Sequence, residues 1–121
     1  MKLFSHASSI FPVADPLVTA EYYRDVLGFA ISFKWEDPPS YVIVSREEAI
    51  SIHFAKSDHN LINSNHSKLY IFVHDADAVY QEYLDSGANI IEPINDTDYQ
   101  MREFVIQDLN GYQLIIGKGI S

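Results

Sequence analysis

Cysteine is absent from this 121-residue sequence. That removes disulfides, thiolate nucleophiles and Cys-ligated zinc from the possible chemistry. Positive charge is scarce: eight Lys and Arg stand against 17 Asp and Glu, a formal net charge of −9. The eight bases are scattered singly, which argues against nucleic acid or an anionic membrane surface as a partner. The five glycines are dispersed and form no phosphate-cradling loop. No Gly-x-Ser-x-Gly elbow occurs, so Ser-His-acid catalysis has no support. No apolar run approaches the roughly 20 residues of a membrane span. No charged n-region followed by an apolar h-region opens the chain, so no signal peptide is visible and the cytoplasm is the expected location.

What is abundant is apolar and aromatic. Hydrophobic residues make up 47% of the chain, enough for a sizeable core in one domain of this length. The two halves echo each other at an offset of about 60 residues. Ser8-Ser9-Ile10-Phe11-Pro12-Val13 runs into Asp15-Pro16, and Lys68-Leu69-Tyr70-Ile71-Phe72-Val73 runs into Asp75-Ala76. Each reads as a strand leading to a helix start, with Asp15 and Asp75 as N-caps and Pro16 at the first helical position. Helices are expected over 16–27, with Ala20, Tyr23 and Leu27 as the apolar stripe, and over 76–86, with Val79, Tyr83 and Leu84. Gly28 and Gly87 are placed to end them. Strands are then expected over 29–35, 41–45 and 49–55, and again over 88–94, 100–108 and 111–117. Asp108-Leu109-Asn110-Gly111 is a turn signal, and 56–67 reads as a polar connection. The expectation is an α+β fold of two tandem β-α-β-β-β modules, about 1–56 and 67–121, within a single domain.

Two stretches resemble a known family. Glu21-Tyr22-Tyr23-Arg24-Asp25-Val26-Leu27-Gly28-Phe29 is similar to the FYxxVLGF segment of vicinal-oxygen-chelate proteins. Residues 101–112, from Met101-Arg102-Glu103-Phe104 to Asp108-Leu109-Asn110-Gly111-Tyr112, resemble the ending of bleomycin-resistance-like members. Together they point to the glyoxalase/bleomycin-resistance/dioxygenase superfamily over essentially the whole chain. The resemblance implies a curved half-barrel cleft with helices outside, and a homodimer. It also implies four metal-ligand positions, on the first and last strand of each module, which fall here on Ser8, His53, Lys68 and Ile115. One of the four is a good ligand, and a lysine ammonium repels a divalent cation. The resemblance therefore implies a metal-free binder of antibiotic-resistance type and leaves enzymatic activity open.

Strand periodicity supports the two last-strand positions, His53 and Ile115, independently. Ile50, Ile52 and Phe54 alternate onto a helix-packed face, leaving Ser51 and His53 on the other. Likewise Tyr112, Leu114 and Ile116 share a face, leaving Gln113 and Ile115 opposite. A rival reading uses one divalent metal ion: His6 and His66 each lie two residues before an expected position, and with His53 they would make a three-histidine site. The plainer reading of His6 and His66 is exposure at strand entrances. A carboxylate pair from Glu103 and an acid at 96 or 98 is a further option, against solvated turn acids. Trp35, Tyr99, Met101, Arg102 and Glu103 complete the candidate site, because aromatic rings beside acids grip a flat, cationic organic ligand by stacking and cation–π attraction.

Overall fold

The computed structural model describes residues 1–58 and 67–121. The chain forms two compact units, one on each side of the remaining stretch, and each is a β-α-β-β-β module. The first contains β1 (Ser9–Val13), α1 (Pro16–Asp25), β2 (Ala30–Trp35), β3 (Tyr41–Arg46) and β4 (Ile50–Lys56). The second contains β5 (Lys68–Phe72), α2 (Ala76–Ser86), β6 (Ile90–Asp96), β7 (Met101–Gln107) and β8 (Gln113–Gly119). Each unit has one four-stranded sheet, of order β1-β4-β3-β2 and β5-β8-β7-β6. The opening strand of each runs parallel to the last, and the other pairings are antiparallel. No helix among the described residues is long and apolar enough to cross a membrane.

Local chemistry sets the helix starts. Asp15 Oδ1 accepts the Val18 amide at 3.1 Å, and Asp75 Oδ1 accepts the Ala78 amide at 3.0 Å. Each carboxylate satisfies one amide that the first turn would otherwise leave open. Asp75→Ala should lower the unfolding free energy by about 1 kcal/mol, read from the urea midpoint.

The two helix ends differ. Gly87 is left-handed at φ 80°, and Ala88 donates its amide to Tyr83 O at 3.0 Å, closing a tight C-terminal motif. Gly28 is also left-handed, at φ 78°, yet α1 ends earlier, at Asp25, with Val26 as its cap. One more residue separates Asp15 from Gly28 than Asp75 from Gly87. The turn after Asp25 absorbs it, and Phe29 reaches back to Tyr23 O at 3.0 Å in a wider loop.

Each core lies between a helix and one face of its sheet. In the first unit Tyr23 meets Phe54 at 4.9 Å and Phe29 at 5.5 Å, ring centre to ring centre, above buried Val42, Val44 and Ile52. In the second, Phe104 takes Tyr80 at 5.0 Å and Tyr83 at 6.3 Å, above Ile106, Leu114 and Ile116. The stripe expected on α2 shifts here: Leu84 is 48% exposed, and Tyr80 occupies the place assigned to it.

Strand limits move for identifiable reasons. The last strand begins at Gln113 rather than 111, because the buried Asp108 carboxylate accepts the amides of Asn110 and Tyr112 at 2.8 and 3.0 Å and holds the turn through Tyr112. The β3–β4 turn places Glu47 and Glu48 at φ 55° and 56°, with Ala49 donating to Arg46 O at 3.1 Å. Such a two-residue turn favours Asn-Gly, since other side chains crowd their own carbonyls there. The double variant Glu47→Asn/Glu48→Gly should raise stability by about 1–2 kcal/mol, measured by chemical denaturation.

Candidate functional site

Each sheet has a second face that the helix of its own unit does not cover, and the strand register decides which side chains it carries. In the first unit Ile10 stands opposite His53, His53 opposite Ile43, and Ile43 opposite Phe33. The next row along runs Pro12, Ala55, Tyr41, Trp35. A bulge between Ile31 and Phe33 creates this arrangement. Ile31 pairs with buried Val44, so simple alternation would send Phe33 and Trp35 to the helix side as well. The inserted Ser32, whose hydroxyl donates to Ile43 O at 3.2 Å, turns both to the open face, where Trp35 is 60% exposed.

His53 supplies the polar centre of that face. Tyr41 Oη lies 2.6 Å from His53 Nδ1, with the rings edge to face. When the phenol donates, Nδ1 is the acceptor and the ring proton sits on Nε2. The pair thus holds the imidazole in one orientation. Ser8 and Ser51 share a short hydroxyl–hydroxyl hydrogen bond one row away.

In the second unit Lys68 stands opposite Gln113, Tyr70 opposite Ile115, and Phe72 opposite Gly117. Val105 and Glu103 lie across from Ile115 and Gly117, and Met101 shares their face by alternation. Gly117 leaves room for the Tyr70 ring: a Cβ there would collide with Tyr70 Oη and stand 3.0 Å from Glu103 Cβ. Glu103 is only 6% exposed. Its Oε1 accepts a short hydrogen bond from the exposed Tyr99 hydroxyl, which raises the Tyr99 pKa. Burial, and then a hydrogen bond to the Glu103 carboxylate, push the Tyr70 hydroxyl well above the usual phenol range. Neither Tyr70 Oη nor Glu103 Oε2 meets any further partner among the described residues.

Arg102 turns to the other side. Its guanidinium binds Asp96 at 2.7 and 3.0 Å and reaches Asp77, in the first turn of α2, at 3.2 Å. This pairing holds the Asp96 carboxyl below the usual range. Asp96 therefore does not join Glu103 in a carboxylate pair, and Arg102 ties helix to sheet rather than lining the face with Glu103.

The metal positions implied by resemblance do not fit a divalent ion. Ser8 bonds Ser51, the Nδ1 lone pair of His53 faces Tyr41, and Lys68 and Ile115 offer no lone pair to a cation. His6 lies in the exposed segment before β1, with its ring 2.8 Å from Ser5 Oγ. His66 falls outside the described residues. Among the described residues no three His, Asp or Glu gather into a metal-sized group.

Tyr41, Tyr70 and Gly117 were not singled out in the sequence. Tyr70 carried a signal, since it lies two residues beyond Lys68 and so on the same face. Tyr41 and Gly117 gain meaning only once the register is known.

The sequence model of the glyoxalase/bleomycin resistance protein/dioxygenase superfamily matches residues 4–116. No curated protein matches the chain. Among solved structures, the bleomycin-binding protein of Streptomyces verticillus, complexed with copper(II)-bleomycin, superposes with a TM-score of 0.81. It is 21% identical, over 98% of this chain and 99% of that one. An antibiotic-binding protein of Streptomyces sp. CB03234 gives 0.78 at 16% identity, over 98% and 99%. A superfamily member from Sphaerobacter thermophilus gives 0.76 at 17% identity, over 95% and 98%.

Proposed function

The chain belongs to the glyoxalase/bleomycin resistance protein/dioxygenase superfamily, and from that premise we propose that it is a metal-free protein that binds and sequesters an aromatic small molecule. One observation carries this reading. The open face of the first sheet presents Trp35, Phe33 and Ile10 around an oriented His53, while three of the four implied ligand positions carry Ser, Lys and Ile. Flat apolar surface with one fixed polar group suits an organic ligand better than an ion. The fold shared with two antibiotic-binding proteins supports it. The exposed apolar side chains also favour a two-fold dimer.

Trp35 is the single tryptophan, which makes it an intrinsic reporter. Titration with a panel of flat aromatics, bleomycin included, should give saturable changes in its fluorescence. A bound ligand should also raise the melting temperature, by the equivalent of about 2.7 kcal/mol at a hundredfold excess over Kd. His53→Ala should weaken binding and leave the fold intact. Light scattering should give about twice 13.8 kDa. Elemental analysis should show substoichiometric transition metal, and chelator should not move the melting temperature. A panel without response would sink the binding role. One tightly held ion per chain would replace it with metal chemistry.

A further inference from the structure

We infer that the open face of the first sheet selects neutral aromatic molecules bearing a carbonyl oxygen, to which His53 Nε2–H donates a hydrogen bond, and that Tyr41 is the positioning residue that keeps the proton on Nε2. This rests on the small-molecule-binding reading and names the ligand class and the residues that select it.

Distance assigns the donor in the Tyr41–His53 pair. Tyr41 Oη and His53 Nδ1 are 2.6 Å apart. N–H donors keep roughly 2.7–3.2 Å from oxygen, whereas O–H donors approach to roughly 2.5–3.0 Å. The phenol therefore donates and Nδ1 accepts. A neutral imidazole then carries its one proton on Nε2. The register makes the pair possible. His53 stands opposite Ile43, and Tyr41 lies two residues along from Ile43, a diagonal that an aromatic side chain spans. The rings meet edge to face, which fixes the tilt of the imidazole as well as its proton.

The two nitrogens of an imidazole leave the ring on different sides, so Nε2–H is directed away from Tyr41. It meets no acceptor among the described residues. His53 is half-buried, on a face where Ile10 and Trp35 are exposed. A donor in that setting discriminates. A ligand with a lone pair satisfies it, and one of the same shape without a lone pair covers it and leaves it unmet.

Charge narrows the class. No strand position of this face is Asp, Glu, Lys or Arg: Ser51 and Ala55 flank His53 along β4, and Ile10 and Ile43 flank it across the sheet. A cation finds no carboxylate on these strands. The net charge of −9 in turn holds off a carboxylate ligand. A carbonyl keeps the lone pair without the charge, and Phe33 and Trp35 offer flat surface to the ring that bears it.

The test is an NMR titration of the whole isotope-labelled protein with acetophenone and α-methylstyrene, which share one shape and differ in C=O against C=CH2. Acetophenone should bind about fivefold more tightly, the gain of one neutral hydrogen bond. Benzoate and benzamidinium should both bind more weakly than acetophenone. In mildly alkaline buffer, nitrogen–proton correlations should show His53 as the Nε2–H tautomer. His53→Phe keeps a flat ring and removes the donor, so the preference for acetophenone should vanish. Tyr41→Phe keeps the positioning ring and releases Nδ1. The tautomers should then mix, and acetophenone should weaken about twofold as half the population loses the donor, with α-methylstyrene unchanged. An Nδ1–H tautomer in the wild type, equal affinity for acetophenone and α-methylstyrene, no binding of either at millimolar concentration, tighter binding of a charged probe, or a preference that survives in His53→Phe would overturn the inference. If His53→Phe does not fold, the wild-type preference and the tautomer decide it. A Trp35 response to other aromatics without this acceptor preference would remove the selection alone; silence in both experiments would remove the binding role with it.

Discussion

Phe54→Ala should lower the unfolding free energy by about 3–5 kcal/mol, the largest loss expected from any single truncation in the first unit. Phe54 lies at the middle of β4, fully buried, with Tyr23 on one side and Phe11 6.5 Å away on the other. Removing the ring forfeits its transfer from water and leaves a cavity. Little can collapse into that space, since Tyr23 is itself held against Phe29 and Tyr22. Guanidinium denaturation followed by far-UV circular dichroism reads the loss. A cost below about 1.5 kcal/mol would mean that the site relaxes and that the rings are less tightly interlocked than their geometry says.

The second large effect comes from adding one methyl group. Gly117→Ala should cost about 1–3 kcal/mol, as overpacking does where neighbours cannot yield. The new Cβ would meet Tyr70 Oη, Tyr70 Cζ and Glu103 Cβ, the last two at 3.0 Å. Tyr70 is pinned on β5 opposite Ile115, so the ring moves only by leaving its place over β8. The control is Tyr70→Ala: in that background Gly117→Ala should be almost silent, a strong departure from additivity. If the glycine variant costs the same with and without the ring, its effect comes from the backbone and the close approach is irrelevant to stability.

What the sequence disclosed and what it hid follow from the range of the interactions. Asp15 and Asp75 act within four residues along the chain, so their capping role was legible. The alternation that buries Ile52 and Phe54 and turns His53 outward is equally local. The resemblance carried the order of elements across both units, and the family match agrees with it. The site is otherwise. Tyr41 meets His53 across two antiparallel strands, and Tyr70 reaches Glu103 across a third strand through the gap at Gly117. Nothing in the spacing of these residues reports a register. The bulge at Ser32 reverses the face of Phe33 and Trp35, which simple period-two counting from Ile31 would assign to the core. Arg102 and Glu103 are adjacent in a motif and fall together in the candidate site expected from the sequence, yet a strand sends neighbours to opposite sides.

The same irregularities bear on how the protein behaves when crowded. An outermost strand with unpaired amides invites another chain to add itself, and that is the first step of aggregation. Here each outermost strand is poorly suited as a template. β2 is interrupted by its bulge, and β6 carries Pro93 and shifts register twice. β1 contains Pro12, which brings no N–H, and β5 is five residues long and opens on Lys68. A sequence with this much exposed aromatic surface would otherwise be prone to fibre formation. The bulge that turns Trp35 and Phe33 to the face away from the helix thus also breaks the ladder along which another copy of the strand would stack.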